Sequence, residues 1–179
     1  MLQLVIQSLA SAQDEGKLRF HLIGGYGLDA HHYHRDTRDL DILIASDEAD
    51  VVHEIASMLG YVQHDKTPAF LRYWHPTDAK FLPIDVMLVN SSTFAKLSSD
   101  SITHSFQGVE VTCPSVASFI ALKLHALKNN PGRTRKDLND IAALIEKNPG
   151  SVALEEVKAL CDRYAPPHIF DKLKVLLEL

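Results

Sequence analysis

Apolar residues recur along this chain at two different periods, and the change of period divides it into elements. Leu2, Val5, Ile6 and Leu9 fall at i, i+3, i+4 and i+7, the spacing that gathers side chains on one helical face, which predicts a helix over 2–13 ending near Glu15-Gly16. Residues 18–23, Leu-Arg-Phe-His-Leu-Ile, alternate in the manner of a strand. Gly24-Gly25 interrupts that strand, residues 26–33 suit a short helix, and His34-Arg-Asp-Thr-Arg38 is a polar link. The apolar run resumes at Asp39–Ala45 as a second strand. Ser46 or Asp47 then caps a helix over about 48–59, which stops at Gly60.

From 61 to 112 the two-residue period takes over. Strands are predicted at 61–64, 69–75, 81–88, 102–106 and 109–112, with Gln107-Gly108 as a hairpin turn. Pro83 has no N–H to give a ladder and belongs at the entrance of its strand. Beyond Ser115 the helical period returns in pieces near 115–129, 134–147, 151–163 and 167–178. Asn-Pro-Gly, a second Asn-Pro-Gly and Ala-Pro-Pro separate them. The chain thus reads as an α+β core over 1–112 followed by a helical segment over 113–179.

Charge enters this pattern in one unusual place. Asp39 and Asp41 are two apart at the start of a strand, so they project from one face while Leu40 and Ile42 face the core. Two close carboxylates repel each other unless one takes a proton or a cation lies between them. A hard divalent ion such as Mg2+, or Mn2+ in its place, suits oxygen ligands and prefers one or two carboxylates together with substrate phosphates. Asp85 interrupts the otherwise apolar strand Leu82-Pro-Ile-Asp-Val-Met-Leu88 in a similar way. Three acids on adjacent strands would make a site for phosphoryl or nucleotidyl transfer. A plainer reading stands beside it: Asp-x-Asp as a solvated strand end, and Asp85 as an inward charge that protects an edge. The Gly-Gly turn upstream favours the site, because exposed backbone N–H groups there can hold an anion.

Composition narrows the field further. At 179 residues with 46% apolar and 23% charged residues the chain can bury a real core. A net charge of -5 argues against nonspecific coating of nucleic acid. Cys113 and Cys161 have neither CxxC spacing nor disulfide-framework density, so a reducing, cytoplasmic setting is expected. No apolar run approaches a membrane span, and no membrane partner is expected.

The ordered set Ile23-Gly24-Gly25, then Asp39-Leu40-Asp41-Ile42, then Asp85 resembles the signature of the polymerase-beta-like nucleotidyltransferase superfamily. With Gly27, Leu28, Arg35 and Thr37 it is similar to the minimal and AbiEii-like bacterial nucleotidyltransferases, several of which are toxins of toxin–antitoxin pairs. The resemblance covers residues 18–90 well and the helical part loosely. It implies a small mixed sheet carrying the three aspartates, flanked by helices, with the C-terminal segment closing the nucleotide cleft. Asp39 and Asp41 would carry metal, and Asp85 would complete the metal site and help deprotonate the acceptor. Gly24 and Gly25 would cradle the β- and γ-phosphates of an NTP such as ATP. The implied acceptor is a hydroxyl of RNA or a tRNA end, of a protein or of a small molecule, and an antitoxin protein is an implied partner. Two rivals stay open: an inactive member of the fold acting as a binding partner or regulator, and an antibiotic-modifying adenylyltransferase.

Between Leu122 and Lys136 the chain holds Lys123, Lys128, Arg133, Arg135 and Lys136 with no acid among them. Most of these read as a solvated face. Lys123 lies between apolar Leu122 and Leu124, and the family-like run Lys-Leu-x-Ala-Leu implies that it reaches the nucleotide, with Asp137 and Asp140 as pairing or capping residues. His31, His32 and His34 lack zinc-helix spacing and read as loop or surface residues. His125 and Trp74 read as packing residues, and Tyr26 as a base-stacking or core residue.

Overall fold

The computed structural model describes residues 1–178, apart from the side chains of Asn129 and Pro131; Leu179, the last residue of the expected helical segment, lies outside the described residues. The chain separates into two compact units, one of residues 1–30 and 34–114, the other of 31–33 and 115–179.

In the first unit α1 (Leu2–Asp14) is followed by β1 (Phe20–Leu22), α2 (Gly24–Asp29) and β2 (Leu40–Ala45), and a 3-10 turn over Ser46–Glu48 leads into α3 (Ala49–Met58). Then come β3 (Val62–Thr67), β4 (Phe70–Trp74), β5 (Ile84–Val89), α4 (Ser91–Ser98), β6 (Ile102–Phe106) and β7 (Val109–Cys113). The seven strands form one sheet in the order β3-β4-β5-β2-β1-β7-β6. It is mixed: β2 runs parallel to β5 and β1 to β7, while the other neighbours are antiparallel. The α+β architecture, with helices flanking the sheet and a helical stretch at the C-terminal end, is the one expected.

Position in the sheet explains the composition of each strand. β1 and β2 are central, and Phe20, Leu22, Ile42, Leu43 and Ile44 are fully buried, as expected of strands covered on both faces. β3 is one edge of the sheet, exposed at every position, and its His64, Asp65 and Lys66 discourage pairing with another chain. Trp74, expected as a packing residue, is instead half-exposed at the end of β4, edge-on to His64 at 4.9 Å.

One element had no counterpart in the sequence pattern. α4 interrupts the stranded stretch expected over 61–112, between β5 and β6; Asn90 caps it by accepting the Thr93 N–H, and only Phe94 and Leu97 are buried. Two apolar anchors in eight residues leave too weak a period to detect. Phe94 has a further role, stacking on the His21 ring at 4.9 Å while His21 Nε2 sits 2.8 Å from Ser98 Oγ. Burial pushes the His21 imidazole down to about 4.

The second unit holds α5 (Val116–Asn129), α6 (Thr134–Lys147), α7 (Leu154–Tyr164) and α8 (Ile169–Leu176). α5 packs on α6 and α7, and α8 packs on the same two helices. Ser115 caps α5 by accepting the Ser118 N–H. His31, expected as a loop or surface residue, is buried in this unit: its ring meets Phe119 edge-on at 5.4 Å, and its carbonyl accepts the Asn148 Nδ2 donor at 2.9 Å. Both cysteines are free and buried, and burial pushes Cys113 up to about 12 and Cys161 up to about 11. Among the described residues no helix is long and apolar enough to cross a membrane.

Candidate active site

The parallel pairing of β2 with β5 brings the acids together. Its register sets Asp41 beside Asp85, Leu40 beside Ile84 and Ile42 beside Val86. The apolar neighbours are buried, so the two carboxylates share the opposite face. Asp39 stands just before β2, with its carboxylate on the same cluster. One ligand oxygen from each of Asp39, Asp41 and Asp85 lies within 4.8 Å of the others. Backbone bonds pin the place where the segments meet: the Leu40 N–H donates to Pro83 O at 2.8 Å, and the Ile23 N–H donates to Asp41 O at 3.0 Å. Pro83 sits at the strand entrance, as its missing N–H requires. Thr37 Oγ1 donates to Asp39 Oδ1 at 2.8 Å and fixes that side chain.

The Gly-Gly turn has a steric reason in this geometry. Gly24 has φ +61°, and a Cβ there would run into the Asp41 carboxylate; a Cβ on Gly25 would lie 2.6 Å from Thr37 Cβ. Both glycines let an acid-bearing or acid-supporting side chain lie directly against the backbone.

Arg72 is the site residue that the sequence pattern did not reveal. β4 is antiparallel to β5, with Arg72 opposite Asp85. The guanidinium grips the carboxylate with both prongs, Nε donating to Oδ1 at 2.7 Å and Nη2 donating to Oδ2. That bond to Asp85 comes first among the causes holding Arg72 above its ordinary pKa, with smaller contributions from Asp85's charge and from Asp39 and Asp41. The available signal was a lone arginine in Phe-Leu-Arg-Tyr-Trp, between buried Leu71 and Tyr73. Its partner became visible only through strand register.

The converging groups are carboxylates, which offer oxygen ligands alone. That donor set fits a hard divalent cation, and Asp39, Asp41 and Asp85 are the residues that would hold it. A family model described as "Nucleotidyl transferase AbiEii toxin, Type IV TA system" matches residues 7–176. The chain belongs to the AbiEii nucleotidyl transferase family.

Solved structures similar to this AbiEii-family enzyme carry the same fold. The antibiotic-resistance factor ANT(2'')-Ia superposes with a TM-score of 0.68 at 17% identity, over 99% of this chain and 95% of that one. The lincosamide antibiotic adenylyltransferase LnuA gives 0.54 at 15% identity over 75% and 90%. An antigenic nucleotidyltransferase-like protein from Paracoccidioides brasiliensis gives 0.57 at 15% over 95% and 90%. At such identities the likeness is one of fold. No curated protein matches the chain by sequence.

Beside the acids of this nucleotidyltransferase lies an open cavity of about 360 Å³, lined by Tyr26, Asp29, His34, Arg35, Asp36 and Thr37. Thr37 belongs both to it and to the Asp39 support. Tyr26 faces this cavity and also tilts against Phe106 at 5.2 Å, serving core and cavity together. Burial first, then the charges of Asp29 and Asp39, hold the Tyr26 phenol above its ordinary pKa. His34 Nδ1 pairs with Asp29 Oδ1 at 2.8 Å.

In the helical unit Lys123 is buried, donating to Asp140 Oδ2 at 2.6 Å and lying 3.5 Å from Asp137 Oδ1. Asp137 and Asp140 are therefore partners of an internal lysine, and capping does not describe Asp137: it is buried four residues after Arg133, whose Nε lies 3.4 Å from its Oδ2. Lys128, Arg133, Arg135 and Lys136 are exposed, as a solvated basic face would be.

Proposed function

We propose that this enzyme moves a nucleoside monophosphate from an NTP to a hydroxyl acceptor, with Mg2+ or Mn2+ bound by Asp39, Asp41 and Asp85. The observation that carries this is the convergence of three carboxylates, two from the start of β2 and one from β5, in a chain of a nucleotidyl transferase family. A cation held there would neutralise phosphate charge and make a hydroxyl more acidic. The protein's part is positioning. Asp39 is aimed by Thr37, and Asp41 is held against Gly24. The Gly24 and Gly25 amides are proposed to receive the β- and γ-phosphates next to that carboxylate. Asp85 would supply the third carboxylate, and in this geometry both of its oxygens accept from Arg72. Lys123 stays in the proposal as a phosphate ligand only if it leaves Asp140, and its buried pairing favours the simpler role of internal cation.

The family description supports a toxin with an antitoxin partner; its acceptor in this reading is RNA or protein, and its setting the cytoplasm, where NTPs are found. A second reading draws on size. The chain spans nearly the whole of ANT(2'')-Ia, whose complex with adenylyl-2''-tobramycin is known. In this reading the acceptor is a small-molecule hydroxyl, such as that of an aminoglycoside.

Incubating the purified chain with each labelled NTP and Mg2+, separately with total RNA, cell protein and an aminoglycoside panel, separates these readings by where the label lands. Asp41→Asn, which removes charge and keeps shape, should cut transfer by at least 100-fold while leaving the fold intact. Wild-type turnover by that variant would remove Asp41 from the mechanism. Absence of transfer to any acceptor by the parent protein leaves the inactive binding-partner reading.

A further inference from the structure

Arg72 presents a problem that the three-acid site does not solve by itself. Both oxygens of Asp85 accept from the guanidinium, yet Asp85 is one of the three groups whose oxygens converge. The Asp85 side chain is 10% exposed, so its charge needs a partner whenever no metal is present. The Arg72 side chain is 43% exposed, open to solvent on one side, and its Cζ lies 5.7 Å from the Phe70 ring centroid. The buried acid is thus held by a cation that can retreat toward water at little desolvation cost.

We propose that Arg72 is the exchangeable counterion of the acidic cluster: it neutralises Asp85 in the metal-free enzyme and yields at least one carboxylate oxygen when a divalent cation enters. This rests on the metal reading of the cluster and goes beyond it by assigning a positioning residue and a competition. Arg72 lowers the protein's affinity for free metal and prevents the three acids from repelling one another before substrate arrives. A metal that comes with NTP phosphates, as part of the substrate complex, overcomes that competition more readily than metal alone.

The sign of one measurement decides between this and a plain orienting role. If Arg72 only orients Asp85, removing it disorders a ligand and weakens metal binding. If Arg72 competes, removing it strengthens binding. Mn2+ binding without nucleotide is measured by electron paramagnetic resonance titration for the parent protein, Arg72→Gln, Arg72→Lys and Asp41→Asn. Arg72→Gln is expected to bind Mn2+ on the order of tenfold more tightly, equivalent to about 1.4 kcal/mol. Arg72→Lys should fall between, because it keeps the charge and loses the two-pronged grip. In chelator Arg72→Gln should melt lower than the parent and recover more on adding Mn2+. Unchanged or weaker Mn2+ binding by Arg72→Gln overturns the proposal. Should that variant fail to fold, Arg72→Lys carries the test with the same sign. A different result marks failure of the underlying reading: saturable Mn2+ binding that Asp41→Asn leaves untouched, or no binding by parent and Arg72→Gln alike, overturns the metal site and the counterion role with it.

Discussion

Gly24 shows how closely single residues are fixed here. Its φ of +61° disfavours any side chain, and the space a Cβ would take is filled by the Asp41 carboxylate. Gly24→Ala combines backbone strain with displacement of a metal-binding acid, so it should destabilise the protein by about 1–3 kcal/mol and abolish Mn2+ binding. Denaturant melts and the same titration used for Arg72 check both outcomes. His21 makes a separate prediction about pH. Its pKa is lowered from 6.5 to about 4 by burial, so the native state refuses a proton that the unfolded chain accepts between those values. The stability this represents is complete above about pH 6.5 and is lost as pH falls toward about 4, on the order of 3 kcal/mol across the window. Urea unfolding at several pH values should show that slope. His21→Phe, which keeps a ring against Phe94, should flatten it.

Among elements, the β4–β5–β2 sequence of strands matters most to the site, because register alone places Arg72 opposite Asp85 and Asp85 beside Asp41. These pairings were only partly legible. Each strand overlapped a stretch legible as strand, and Asp85 stood out as a charge in an apolar run. Which strand lay beside which is a nonlocal property that no window of residues contains. α4 was invisible for a different reason, being short and thinly apolar. In the helical unit α5 and α6 are joined by Lys123 with Asp137 and Asp140. Lys123→Ala should cost about 3–5 kcal/mol, because it leaves carboxylates in the interior without that cation. Lys123→Met combined with Asp140→Asn should cost less. If Lys123→Ala keeps its melting temperature and loses NTP affinity instead, the lysine serves the nucleotide.

For the whole molecule, metal binding and folding are linked. A cation bound by native Asp39, Asp41 and Asp85 and not by the unfolded chain should stabilise the protein by about 2.7 kcal/mol at 100 times its Kd. For a chain of this size that corresponds to a rise in Tm of roughly 5–10 °C. Thermal melts with Mn2+ and with chelator measure it, and Asp41→Asn should remove most of the shift. A rise equal in parent and variant would place the cation elsewhere.

By itself the sequence determined the element types apart from α4, the same-face placement of Asp39 and Asp41, the turn at Gly24-Gly25 and the strand-entrance position of Pro83, since each depends on residues a few positions apart and on the fixed periods of helix and strand. It also carried the family resemblance, because that signature is an ordered string of such local features. Tertiary structure alone decided that Gly24 makes room for Asp41, that Arg72 holds Asp85, that His21 and His31 are buried, and that Lys123 is locked to Asp140. These are contacts between segments distant in the chain. Their partners are chosen by which registers and packings bury the most apolar surface while pairing every buried charge, a condition on the whole fold that no local pattern can express.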